Sequence, residues 1–128
     1  MYRYTMKCLL FLPIVFVACL KHAPPEDPAV WKKVKLDFRK FDHEGLAGPT
    51  GDKISANYEF CIPALEKNWK VVQKIDTTAQ RIGGKGRVRC SEQEWLVIGS
   101  THQKNFQHVL FRLASLPYIK EIQETYYE

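Results

Sequence analysis

Three stretches predict an α+β fold for this chain. Residues 54–63, ISANYEFCIP, alternate apolar Ile54, Ala56, Tyr58, Phe60 and Ile62 with Ser55, Asn57, Glu59 and Cys61, the period-two pattern of a half-buried strand. Residues 95–98, WLVI, are apolar without interruption, as in a strand buried on both faces. Phe106, Val109, Leu110, Leu113 and Leu116 recur at helical spacing until Pro117. With the segments between them the order is strand, helix, strand, strand, helix, strand, which is the ferredoxin-like split βαβ plait (β1-α1-β2-β3-α2-β4), here preceded by an N-terminal extension. In that arrangement 54–63 and 95–100 are the inner strands, and both helices pack on the face of Tyr58, Phe60 and Ile62.

The chain has 128 residues, enough for one domain, a leader and a tether. With 45% hydrophobic and 26% charged residues its composition is that of a globular protein. Arg3 and Lys7 precede the apolar run 8–18, the charged-then-apolar order of a secretory signal peptide. That run of 11 residues is shorter than the ~20 needed to span a bilayer. Without Arg3 and Lys7, 17 of the 19 basic residues remain against 14 acidic, a net +3. So small an excess excludes nucleic acid as the expected partner.

Phe16-Val17-Ala18-Cys19 resembles the lipobox of bacterial lipoproteins, in which a small residue precedes a cysteine that is lipidated and becomes the new N-terminus. The resemblance implies a signal peptide over 1–18, lipidation at Cys19 and a cell-envelope location anchored in the membrane. Leu20 after the cysteine implies the outer membrane if the cell is Gram-negative. Ordinary cleavage would instead make the protein periplasmic or secreted. Residues 19–30 are rich in proline and charge and form the tether, where His22 is a solvated side chain.

Residues 31–53 form the extension and a loop. Asp27-Pro28 offers a helix start, but the alternation of Val34, Leu36 and Phe38 favours a strand. Residues 34–41 are the segment available to cover the sheet face opposite the helices. Residues 42–53 hold three glycines and a proline and must be loop. Asp42, His43 and Glu44 are metal-capable neighbours, yet adjacent residues in a loop seldom converge on one ion, and no metal or other cofactor is expected.

Within 54–128, the domain proper, Leu65, Trp69, Val72 and Ile75 mark an amphipathic helix after Pro63, with Lys67, Lys70 and Lys74 on its solvated side. Residues 81–90, RIGGKGRVRC, bring together Arg81, Lys85, Arg87 and Arg89, a candidate anion-binding set. The spacing lacks the order of a phosphate loop. The glycines are expected to begin a strand, with Arg87 and Arg89 guarding a sheet edge. Ser100-Thr101-His102-Gln103 matches a capping box that would start the last helix, and Ser100, Thr101 and His102 form a candidate ligand loop at its end of the sheet. The tail, YIKEIQETYYE, is expected as a final edge strand with a bulge between Ile119 and Ile122.

Of four cysteines, Cys61 and Cys90 lie in the domain. Outside the cytoplasm two thiols pair readily, and a bridge would contribute ~3 to 4 kcal/mol. As the ends of strands flanking a third, their Cα atoms would lie ~9.5 Å apart, beyond the ~7 Å limit. The sequence leaves the bridge open. A Cys61–His102 catalytic pair is excluded by placement at opposite sheet ends, Glu59 near His102 is no catalytic set by itself, and His108 belongs to a helix. No catalytic residues are assigned.

The end LASLPYIKEIQE is similar to the last helix and strand of subtilisin-type propeptides and related peptidase inhibitors. That similarity implies a protease-binding sheet whose tail, residues 124–128, enters the protease cleft. The composite expectation is a lipid-anchored envelope protein that acts as a binding module toward an envelope protein partner or a cell-wall component, through an edge strand or the open sheet face of Ser55, Asn57, Glu59 and Cys61. A small ligand-binding domain or enzyme working near 100–102 is the alternative.

Overall fold

The computed structural model describes residues 27–125. Expectations that fall on residues 1–26 and 126–128, including the leader, Cys19 and His22, lie outside the described residues.

Asp27 caps a short helix, α1 (Pro28–Trp31), its carboxylate accepting from Ala29 N–H and Pro28 taking the first helical position. Strand β1 (Val34–Lys35) follows, then a 3-10 turn (Phe38–Lys40), so the extension is helix and strand in succession. Next come β2 (Asn57–Pro63), α2 (Glu66–Ile75), β3 (Gln80–Ile82), β4 (Glu94–Ser100), α3 (Phe106–Ala114) and β5 (Ile122–Thr125).

The expected four-stranded antiparallel plait is not what forms. The sheet has five strands in the order β1-β5-β2-β4-β3 and is mixed, because β1 runs parallel to β5. Its cause lies in the extension. Val30, Trp31, Val34, Leu36, Phe38 and Phe41 are too apolar to be left in water, and they join the cluster of Tyr58, Phe60, Ile62, Val97, Leu110 and Leu113. Trp31 packs on Phe38 and Phe111 at 4.8 and 5.5 Å between centroids, and Phe41 meets Phe106 edge-on at 5.7 Å. The ammonium of Lys33 donates to the carbonyls of Ala114 and Leu116 at the end of α3, where the helix dipole is negative. Once anchored there, the chain places the Lys33 carbonyl to accept from Ile122 N–H at 2.8 Å. The tail strand β5 is therefore not an edge. Glu124 and Thr125 are paired with Tyr58 and Asn57 inside the sheet.

Val34–Lys35 thus extend the sheet and residues 36–41 pack on its helical side, away from the opposite face. The cover there comes from residues 83–93. Strand β3 stops at Ile82, and the glycine-rich stretch is a loop that folds back across β2 and β4. Gly84, Gly86 and Arg89 all have positive φ, which no strand permits. Leu96 and Cys90 are buried beneath this loop, and the Cys61–Cys90 disulfide pins it to the sheet with a Cα–Cα distance of 5.5 Å. The two-strand separation expected for these cysteines fails because Cys90 belongs to no strand.

The last helix starts later than the capping-box reading places it. Ser100 stays in β4, and α3 begins after Asn105, whose backbone is left-handed at φ 54°. The Gln103 amide donates to the Ser100 carbonyl at 2.8 Å instead of returning to its N–H. Between α3 and β5 the chain turns through 116–121 and buries Ile119, so no strand bulge is needed. No helix among the described residues is long and apolar enough to cross a membrane.

Candidate functional site

The start of β2 and the end of β4 meet the loop 42–56 at one end of the sheet. The Asp42 carboxylate organises that loop, accepting from Glu44 N–H at 2.9 Å, Leu46 N–H at 3.0 Å and the Lys53 ammonium at 2.8 Å. The Lys53 hydrogen bond first, then the two amides, hold its pKa down at about 2. Asp42, His43 and Glu44 do not converge as ligands, since Asp42 is spent on the loop itself. Among the described residues no group of three or more His, Cys, Asp or Glu is placed to hold a metal ion.

Thr101 latches this loop to the sheet. Fully buried, its hydroxyl donates to the Gly45 carbonyl at 2.7 Å and accepts from Ala56 N–H at 2.9 Å, while its own N–H donates to the Ala56 carbonyl. Gly45 has φ +77°, and a Cβ there would collide with the Thr101 carbonyl, so the close approach requires glycine. Ser100 accepts from His102 N–H through its hydroxyl at 3.1 Å. The Nδ1 of His102 lies 3.1 Å from the Glu44 carbonyl, which can only accept. Nδ1 is therefore the protonated nitrogen, and in the neutral ring Nε2 keeps its lone pair.

Of the candidate ligand loop, buried Thr101 and half-buried Ser100 hold structure, and His102 is the exposed member. It lines an open groove of about 340 Å³ together with His43, Glu44, Gln103 and Lys104. The Lys104 ammonium suits a ligand that carries negative charge and hydrogen-bond acceptors, while the lone pair of His102 Nε2 accepts from a donor on the same ligand.

Behind the groove is a buried polar cluster that sequence reasoning missed. Asp76, 1% exposed, ends α2. Its carboxylate accepts from Tyr58 Oη at 2.5 Å, Thr78 N–H at 2.9 Å, Thr78 Oγ1 at 2.6 Å and the Gln103 amide at 3.2 Å. Gln103 belongs to both the cluster and the groove. Burial first, and then the negative charge of Asp76, push the Tyr58 phenol well above its ordinary pKa, so it stays a proton donor. This cluster ties β2, the end of α2 and the segment after β4 together. The visible signal was a tyrosine in a strand otherwise lined by Phe60 and Ile62, since a buried hydroxyl needs a partner.

The candidate anion set does not converge. Arg81 lies on β3 with its guanidinium 4.0 Å from the Trp95 ring centroid and 5.5 Å from that of Trp69, and it pairs with Glu66 at 3.3 Å. Lys85 pairs with Glu92 at 3.6 Å, and Arg87 and Arg89 are exposed farther along the loop. The loop does hold an anion, but it is the protein's own. Glu59, 3% exposed, accepts from Val88 N–H at 3.1 Å and from the Thr125 hydroxyl at 3.1 Å. Gly86 lies so close that a Cβ would collide with the Glu59 carboxylate. The face of Glu59 and Cys61, expected to be open to a partner, is closed over these residues. Cys61 pairs with Leu96 and Asn57 with Ser100, so Cys61 and the residues next to His102 occupy opposite ends of the sheet.

The chain matches no protein-family model, no curated protein and no solved structure, and its site stands on its own geometry.

Proposed function

We propose that this chain is an exported, lipid-tethered binding protein of the cell envelope. Residues 1–18 serve as the leader, Cys19 carries the lipid, and the folded domain presents the groove beside His102 to a small anionic ligand or an acidic side chain of an envelope partner. The observation that carries this reading is the Cys61–Cys90 bridge. Bridges of this kind persist outside the reducing cytoplasm, which agrees with the charged-then-apolar order of residues 1–19. A binding role is favoured over catalysis because the groups around the groove are engaged in holding it. Thr101, Ser100 and Gln103 spend their hydrogen bonds on Gly45, His102, Asp76 and neighbouring carbonyls, leaving His43, His102 and Lys104 to meet a ligand.

Titration of the oxidised full-length protein with inorganic phosphate and with a small dicarboxylate, followed by backbone amide NMR, tests the groove. Saturable shifts at residues 43–45 and 102–104 that Lys104→Ala and His102→Ala weaken are expected. Absence of shifts there, or shifts unchanged in both variants, contradicts the groove as the ligand site.

A further inference from the structure

The sheet ends in two unlike edge strands. Beyond β5 it ends in β1, only two residues long, whereas on the other side β3 ends the sheet with Gln80, Arg81 and Ile82 all exposed. Among the described residues these three make no backbone hydrogen bond beyond their pairing with β4. An unpaired row of N–H and C=O groups is a template for another strand. Arg81 is held in place by Trp95, Trp69 and Glu66, so the edge is ordered before anything meets it.

Charge gathers at this edge. Residues 65–90, which contain α2, β3 and most of the loop, hold seven Lys and Arg against Glu66 and the buried Asp76, a net +5. The described residues 27–125 hold 16 basic and 12 acidic residues, a net +4, so everything outside 65–90 sums to −1. The positive field of the domain belongs to the flank of its open strand.

We propose that β3 is a docking strand for an extended acidic segment of a partner protein, which adds beside Gln80–Ile82 as a further strand. One row of the partner's side chains then lies on the side of Arg81 and α2, and the other on the side of Ile82 and the loop 83–90. The two features select the occupant together. Only a polypeptide supplies the alternating N–H and C=O groups that the edge lacks, so the edge favours a strand over a duplex or a bilayer. Edge-to-edge pairing of two copies would bring two such positive flanks together, so the same charge that opposes self-association admits an acidic strand. This surface is separate from the groove at His102, and either can fail without the other.

The test uses the oxidised full-length protein and a short peptide that alternates valine with glutamate. Binding that shifts the amide resonances of Gln80, Arg81 and Ile82 and weakens as salt rises is expected. The same peptide N-methylated at alternate amides keeps its charge but cannot form the ladder, and it should bind at least roughly tenfold more weakly; a double Lys70→Glu, Lys85→Glu variant should lose about as much. Equal binding of the N-methylated peptide, displacement of the peptide by a short DNA duplex or anionic vesicles at equal charge concentration, or shifts confined to 102–104 would each overturn the proposal.

Discussion

Tyr58 joins the chemistry of the core to that of the groove. Its ring stacks near Phe60 at 6.4 Å, while its hydroxyl donates to Asp76 and accepts from Gln103 at 3.0 Å. A hydrogen bond to a charged group contributes ~1.5 to 3 kcal/mol, and its loss leaves a buried carboxylate one donor short. Tyr58→Phe is expected to destabilise the protein by about that amount, measured by urea unfolding near neutral pH. The same residue predicts a pH dependence. Its pKa is raised in the folded state by burial and by Asp76, so its contribution is complete below the unfolded value near pH 10 and is lost as pH rises through the folded value. Wild type should lose stability above about pH 10 more steeply than Tyr58→Phe. Parallel alkaline profiles of the two would count against the buried hydrogen bond. Asp42 has the opposite sign. Its lowered pKa gives support to the loop 42–46 that is present above the ordinary carboxylate value and lost as pH falls through about 2.

Among elements, the loop 83–93 separates what patterning reveals from what it hides. Alternation and helical spacing locate β2, α2, β4 and α3 because each is set by burial of one face, which a sequence carries directly. The loop is set by single contacts. Val88 N–H on Glu59, Gly86 against Leu96 and the bridge to Cys61 are all long-range, and a run of glycine and arginine gives no period to reveal them. The capping box at Ser100 misled for a related reason. Ser100 N–H donates to Thr78 Oγ1 and its residue continues β4, so tertiary pairing overrides a local cap. Gly86→Ala should cost at least ~1 to 2 kcal/mol, because φ +66° is left-handed and the Cβ would press on Glu59 and Leu96. An Ala variant as stable as wild type in thermal unfolding would mean the loop does not sit as described. Removing the bridge, whose cysteines are 29 residues apart, with Cys61→Ala and Cys90→Ala together should cost about 3 to 4 kcal/mol. Urea unfolding of that variant beside oxidised wild type measures it.

At the scale of the molecule, the sheet differs from a simple plait through its N-terminal extension. Residues 34–41 read as a strand available to cover the opposite sheet face, yet Leu36 and Phe41 are core with Trp31 packed against them, and β1 follows from their burial. What the sequence carried poorly was direction. An extension of this composition predicts a strand, but not which edge or face it joins. The result is a domain with one edge strand of two residues, one open basic edge and a groove at the end where β2 begins. The site was legible in part. His102 was marked by its neighbours and Gln103 and Lys104 follow it in the chain, whereas His43 and Glu44 join them only through the latch of Thr101 on Gly45.

Labelling tests the proposed work of this domain outside the cytoplasm on a lipid tether. Cells expressing wild type or Cys19→Ala are grown with radioactive palmitate, and the protein is recovered from fractionated membranes under conditions that trap free thiols. Label in wild type, none in Cys19→Ala, and Cys61 and Cys90 protected as a disulfide are expected. Unlabelled wild type in the cytoplasmic fraction with both thiols free would contradict it.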